Sequence, residues 1–131
     1  MGKSAILIEA SPGELLDKIS ILEIKAERIT DKAKLANINH ELSVLTKVKG
    51  DSIATDAVLD ALFVELRAVN AKIWNIEDAI RDKERVKSFD AEFVELARSV
   101  YINNDHRADI KRRINTHFDS AIVEEKSYSR Y

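Results

Sequence analysis

Seven aliphatic residues recur at heptad spacing through the middle of the chain without interruption. They are Leu59, Leu62, Leu66, Val69, Ile73, Ile76 and Ile80. Alternating steps of three and four residues place side chains on one face of an α-helix, as in helices that pack against other helices. The spacing predicts one helix over residues 56–87, about 48 Å long at 1.5 Å per residue. A helix of this length needs apolar partners along its whole face, and the rest of the chain must supply them.

The segment before this helix predicts two shorter helices. The residues SPGE at positions 11–14 have the order of a capping box with proline in the first turn, so a helix is expected to begin there. Asp31 is the expected cap of a second helix, and Gly50 follows its expected end. We predict helices over residues 11–30 and 32–49, and their short connection favours an antiparallel hairpin.

The C-terminal third carries the remaining apolar positions, over residues 89–118, and is expected to cover the second half of the long helix. The cluster NND at positions 103–105 is typical of a helix end followed by a new cap, so a pair of helices is predicted there. Residues 5–8 and the polar tail, residues 119–131, are expected to be short extended segments. The predicted fold is a single all-α domain over residues 1–131, an antiparallel helical bundle of about five helices with one long central helix.

The composition argues against several functional classes. The chain of 131 residues has 21 Lys and Arg against 23 Asp and Glu, a net charge of −2, so nucleic-acid binding is not expected. It has no cysteine, which removes disulfides and thiolate chemistry and favours the cytoplasm as its location. No apolar run approaches the roughly 20 residues of a membrane span. The three histidines are far apart and no nucleotide-binding loop occurs, so neither a metal nor a cofactor is expected.

Polar and aromatic residues cluster where the long helix is expected to meet the C-terminal third. The residues predicted to hold a ligand are Trp74, Arg81, Arg98, Tyr101, Asn104 and Arg107. An indole ring stacks on flat or cationic groups, and the start of the predicted fifth helix adds free N–H groups suited to an anion. The expected ligand is an anionic small molecule or a protein partner. The alternative is a buried polar network, including Arg81 or Arg98, that locks the C-terminal helices onto the long helix.

Two other functions stay open at this point. Carboxylates stand at helical spacing at Glu77, Asp78, Glu92 and Glu95. Such carboxylates hold Mg²⁺ in helical phosphohydrolases, although the simpler interpretation is a set of solvated ion pairs such as Glu77 with Arg81. The long heptad faces also predict a purely structural homodimer.

Four short segments spread along the chain carry a family resemblance. They are SPGELLDKI at positions 11–19, WNIED at 74–78, LARSVY followed by NND at 96–105, and EEKSY at 124–128. On these segments the chain resembles a family of small bacterial all-helical proteins of unknown function. The resemblance covers nearly the whole chain, implies a compact helical domain and assigns no catalytic residue. Residues 15–28 are also similar to the first helix of the helical chorismate mutases, which implies that cations of this helix converge with Arg81 or Arg98.

Overall fold

A computed structural model describes residues 4–131 of the chain. It contains four α-helices, namely α1 (Pro12–Arg28), α2 (Lys32–Ser52), α3 (Ala57–Arg85) and α4 (Ala91–His117). No strand is present in residues 4–131, so the predicted all-α class is confirmed. The predicted number of about five helices is wrong, because the C-terminal third forms one helix instead of a pair.

Each helix begins at a side chain that accepts a hydrogen bond from the first turn. Ser11 Oγ accepts from the backbone N–H of Glu14 at 3.1 Å, as the capping box predicts. Asp31, Asp56 and Asp90 cap the other three helices in the same way. These caps satisfy N–H groups that have no partner inside a helix, and they explain where each helix starts.

The cluster at positions 103–105 does not break α4. The side-chain Nδ2 of Asn103 donates to the backbone oxygen of Ser99 at 2.7 Å, one turn earlier, and Asn103 is buried. An amide side chain that bonds back into its own helix does not compete with the helical backbone. As a result α4 continues for 27 residues, about 40 Å, and the helix start predicted near position 105 does not exist.

The helices α3 and α4 run antiparallel. At one end His117 Nε2 lies 2.8 Å from Asp56 Oδ2, and at the other end Lys83 Nζ donates to Asp90 Oδ2 at 2.9 Å. Lys87, in the left-handed region at φ 56°, lets the chain reverse between the two helices. The predicted coverage of the long helix by the C-terminal third is therefore made by a single partner helix.

The hydrophobic core lies where α1 packs against α3 and α4. Its buried members are Leu16, Ile19, Leu59, Leu62, Leu66, Val69, Ile110 and Ile114. Half-buried Leu42 and Leu45 bring α2 against this core. Since burial of apolar area contributes about 25 cal/mol per Å², these side chains are the main source of stability and fix the relative positions of the helices.

Beyond the core, α3 and α4 continue as an arm, which we define as residues 77–102. No residue of the arm is buried, whereas Ile76 and Asn103 on either side of it are. Phe89, predicted to cover the second half of the long helix, is 55% exposed. We call residues 11–76 together with 103–118 the base. The base holds every buried residue of the described chain. The homodimer expected from the sequence stays a prediction.

The two ends of the described chain have no regular structure. Residues 4–10 are exposed, and the tail, residues 119–131, forms neither helix nor strand. Within residues 4–131, no helix combines the length and the apolar character needed to cross a membrane. The tail turns back from the end of α4 and lies over that helix, and this path creates the site described next.

Candidate ligand-binding groove

A carboxylate of α1 is buried in the base. Asp17 is 1% exposed, and its Oδ1 accepts from Arg107 Nε and from Asn70 Nδ2, both at 2.9 Å. Its Oδ2 accepts from the Nη2 of Arg107. A guanidinium binds a carboxylate strongly through two parallel hydrogen bonds, and this contact raises the pKa of Arg107. Asp17 therefore joins α1 to α3 through the amide of Asn70, and to α4 through the guanidinium of Arg107.

The amide of Asn70 extends this contact into a network. Its Nδ2 also donates to Ser20 Oγ at 2.8 Å, and Ser20 Oγ donates to the backbone oxygen of Asp17 at 2.8 Å. In the described chain, no buried side-chain nitrogen or oxygen lacks a hydrogen-bond partner. This is the kind of polar network that the sequence offered as an alternative, but its cation is Arg107 and not Arg81 or Arg98.

The first turn of α1 lies very close to α4 at Gly13. Its N–H donates to Asn115 Oδ1 at 2.7 Å. A Cβ atom at this position would stand 2.6 Å from the backbone oxygen of Lys111 and 2.8 Å from Asn115 Oδ1. Because real Cβ atoms do not approach so closely, only glycine permits this contact. The contact holds Glu14, the next residue, beside α4.

Lys111 is a buried cation one turn after Arg107 on α4. Its side chain is 9% exposed, and its Nζ donates to Glu14 Oε2 at 2.9 Å and to Glu124 Oε1 at 3.2 Å. Burial is the largest influence and lowers the pKa of Lys111, but the hydrogen bond to Glu14 and the surrounding carboxylates outweigh it, so the pKa is raised. The ammonium group therefore stays charged between two carboxylates, one of which belongs to the tail.

The tail contacts further charged residues along α4. Arg112 Nη2 donates to Glu125 Oε2 at 2.9 Å, and Lys126 Nζ donates to Asp105 Oδ1 at 3.1 Å. The hydroxyl of Tyr131 donates to Asp105 Oδ2 at 2.7 Å. The Tyr131 hydroxyl and then the Lys126 ammonium lower the pKa of Asp105. These contacts hold the tail in an extended path over the helix.

A groove of about 650 Å³ lies between α1, α4 and the tail. Its floor is α4 from Val100 to Lys111, Glu14 forms one wall, and residues 124–128 form the other. Asn104 lies half-buried in the floor. The floor therefore offers an amide, two cations and the apolar edge of a helix to a bound molecule.

Three of the six predicted ligand residues line this groove. Tyr101, Asn104 and Arg107 lie along its floor, on successive turns of α4. Arg107 keeps 29% of its side chain exposed although two of its nitrogens bond Asp17. The structure thus brings together the half of the predicted set that α4 carries between positions 101 and 107.

The other three predicted residues do not line the groove. Trp74 lies on α3, where the guanidinium carbon of Arg28 stands 5.8 Å from its ring centroid. Arg28 also donates to Asn75, so it does not converge with the cations named for a chorismate-mutase-like site. Arg81 and Arg98 form exposed ion pairs within their own helices. Pairs at this spacing need no tertiary structure, which is why these two cations are not directed to a common site.

The carboxylates considered for Mg²⁺ are also separated. Glu77 and Glu95 pair with arginines of their own helices, and the carboxylate of Glu92 lies 3.7 Å from Lys83 Nζ. Over residues 4–131, no group of three or more His, Asp or Glu side chains is arranged to hold a metal ion.

Two residues of the site were not proposed as site residues from the sequence, namely Asp17 and Glu124. A signal for Asp17 exists, because Gly13, Asp17, Ser20 and Ile24 recur at steps of four, three and four. Polar residues at the spacing of a buried face predict internal hydrogen bonds. No local pattern marks Glu124, since its position depends on the path of the tail.

Comparison with known proteins places the chain in a family. No curated protein and no solved structure matches it. One family model matches residues 6–131, a range that includes α1, the groove and the tail, and it is described as a family of unknown function (DUF6165). The expectation of a family of unknown function is therefore confirmed, and the chain belongs to this family.

Proposed function

We propose that this protein is a binding protein whose groove holds the anionic group of a ligand, either a carboxylate or a phosphate. The anionic group would lie over Lys111 and Arg107, and the body of the ligand would lie along α4 toward Asn104 and Tyr101. This proposal keeps the function expected from the sequence but puts its site in the groove, away from Trp74, Arg81 and Arg98.

The observation that carries the proposal is the environment of Lys111. One of its two carboxylate partners is Glu14, which the close contact at Gly13 fixes in place. The other is Glu124, in a tail without regular structure and with its side chain half exposed. A cation that already binds one exchangeable carboxylate is suited to bind the carboxylate or phosphate of another molecule.

The remaining charges restrict the kind of ligand. The cations Arg107, Lys111 and Lys126 line the groove, but so do four carboxylates, contributed by Glu14, Asp105, Glu124 and Glu125. A compact polyanion would be repelled by this lining, whereas one anionic group on a polar or aromatic body fits it. The volume of about 650 Å³ is typical of a small-molecule site.

The proposal is tested by titrating the full ¹⁵N-labelled chain with inorganic phosphate, benzoate and glucose 1-phosphate in separate experiments. We expect at least one of them to shift the side-chain amide signals of Asn104 in a saturable manner. Asn104→Ala should weaken the binding of that ligand by about 1 kcal/mol, close to a fivefold increase in Kd, because one hydrogen bond is lost.

The matched control is Arg81→Ala, which removes an exposed cation of the arm outside the groove. This variant should bind the same ligand with an unchanged Kd. If none of the three anions perturbs Asn104, or if Arg81→Ala weakens binding as much as Asn104→Ala, the proposal is wrong.

A further inference from the structure

Building on the proposed function, we infer that the face of α4 under the tail is a docking surface for an extended peptide of a protein partner, with two consecutive acidic residues followed by a basic residue. The tail is then its tethered occupant. The surface consists of the groove floor together with Arg112, and the argument rests on how closely the charges of the tail match it.

Two consecutive acids of the tail meet two consecutive cations of α4. Glu124 accepts from Lys111 Nζ at 3.2 Å, and Glu125 accepts from Arg112 Nη2 at 2.9 Å. The same Nη2 donates to the backbone oxygen of Glu124 at 3.3 Å. Since this last bond goes to the peptide backbone, the surface holds an extended chain and not only its side chains.

The next contact has the opposite polarity, with a base on the tail and an acid on α4. Lys126 follows the two acids of the tail and donates to Asp105 at 3.1 Å, nearly two turns before Lys111 on α4. Farther along the tail, the ring of Tyr131 lies edge-on to that of Tyr101, with centroids 5.1 Å apart. The tail therefore presents two acids, a base and an aromatic ring in that order. On α4 these meet two bases, an acid and an aromatic ring, respectively. Such complementarity over four positions sets the direction and register of a peptide.

The tail is held in a way that allows its replacement. The tail side chains that contact α4 are themselves partly or fully exposed, and Tyr128 is 83% exposed. Of their partners on α4, Lys111 is buried, and it keeps Glu14 as a second partner. Ion pairs made by exposed side chains hold weakly, so the docking of the tail depends on its tether, which supplies an effective concentration on the order of millimolar. A partner segment with the same charge order and additional contacts in the groove would replace it.

The experiment uses a fluorescein-labelled peptide with the sequence AIVEEKSYSRY, that of residues 121–131, and the full chain as host. The hosts are the wild type and the double variant Glu124→Gln, Glu125→Gln, which weakens the tethered tail and leaves the surface of α4 intact. Fluorescence anisotropy should show that the variant binds the peptide with a Kd about tenfold lower than the wild type, because its own tail competes less.

The matched control peptide, AIVQQKSYSRY, should bind the double variant about tenfold more weakly than the acidic peptide, since both carboxylates are lost. Equal thermal unfolding of the two hosts checks that the fold is unchanged. Equal Kd values for the two hosts, or for the two peptides, would overturn the inference.

Two further outcomes separate the inference from its alternatives. A wild-type dimer that forms with increasing concentration and is dissolved by the free peptide would assign the occupant to the tail of a second copy, and the inference would be wrong. If the peptides fail while phosphate, benzoate or glucose 1-phosphate still perturb Asn104, only this inference falls. If the small anions fail as well, the proposed function falls with it.

Discussion

The base and the arm contain the same kinds of charged residues but pair them differently. In the base, most ion pairs cross between helices, as Asp17 does with Arg107 and Glu65 with Arg113. In the arm, most are made inside one helix, as Glu77 does with Arg81 and Glu95 with Arg98. Exposed pairs within a helix are formed by sequence spacing alone and contribute only a few tenths of a kcal/mol. Pairs that cross between buried helix faces instead decide how the helices fit together.

The difference originates in α1. This helix packs against each of the other three, and it brings a carboxylate, a serine and a glycine to its buried face. The arm holds no buried residue and no such network, so two helices suffice to make it. In the base, α1 packs on α3 and α4 and removes charged side chains from water. Buried charges need fixed hydrogen-bond partners, and this requirement produces the polar network.

The sharpest way to break this comparison is to remove one charge from each region. Asp17→Ala should destabilise the chain by about 3 to 5 kcal/mol, because the guanidinium of Arg107 and the amide of Asn70 lose their acceptor inside the base. Glu77→Ala in the arm should cost less than about 1 kcal/mol, since its partner Arg81 is exposed. Urea unfolding of both variants measures these values. Equal costs would show that the base network has no special role.

The second prediction uses the glycines. Gly13→Ala should destabilise the base by about 2 kcal/mol, because the new Cβ would lie 2.6 Å from a backbone oxygen of α4 and the helices must separate. Gly50→Ala is the matched control, since no atom lies within 4 Å of its Cβ position and alanine favours the helix. This control should stabilise the chain by about 0.5 to 1 kcal/mol in the same assay. Stabilisation by both variants would mean that α1 and α4 are not in close contact.

The third prediction compares the two helix ends that use a left-handed residue. Lys87, between the helices of the arm, has φ 56°, and Asp119, after the base, has φ 50°. Glycine adopts this conformation without steric cost, so Lys87→Gly should stabilise the chain by about 0.5 to 1 kcal/mol. Asp119→Gly should stabilise the chain by less, because aspartate tolerates the left-handed region better than lysine. Thermal unfolding tests the order, and a loss of stability in Lys87→Gly would contradict it.

The smallest effect concerns pH at the tip of the arm. The ammonium of Lys83, followed by the N–H of Phe93, lowers the pKa of Asp90 from 3.8 to about 2. A carboxyl with a lower pKa in the folded chain stabilises it above pH 3.8, and this stabilisation is lost as the pH falls toward 2. Asp90→Asn keeps the helix cap but not the charge. The wild type should therefore be more stable at pH 6, and chemical unfolding should show the gap closing between pH 4 and pH 2. A gap that stays constant over that range would contradict the assignment.

The parts of the fold that could be predicted are those that depend on nearby residues. Ser11 and Asp31 were recognised as caps because the groups they bond lie three residues away. The long helix was recognised because its apolar face repeats over the whole segment. The break predicted at positions 103–105 did not occur, because the buried amide of Asn103 bonds back into α4. Burial of that side chain is a tertiary property that the local composition does not show.

The candidate site was predictable only in part, for the same reason. Tyr101, Asn104 and Arg107 were identified because α4 carries them within two turns. Trp74, Arg81 and Arg98 were grouped with them because the long helix was expected to meet the C-terminal third there, but these residues lie outside the groove. Glu124 reaches Lys111 only because the tail turns back over α4, and nothing near Glu124 in the sequence indicates that turn.

The amino-acid sequence by itself determined which segments are helical, where most of the helices start and which face of the long helix is apolar. These properties follow from interactions over three to seven residues, which any chain with this order of residues would make. The tertiary structure decided that Asp17 meets Arg107, 90 residues away, and that the tail forms a wall of the groove. Contacts at such separation depend on how three helices pack together, and that packing is decided by the fit of their buried faces.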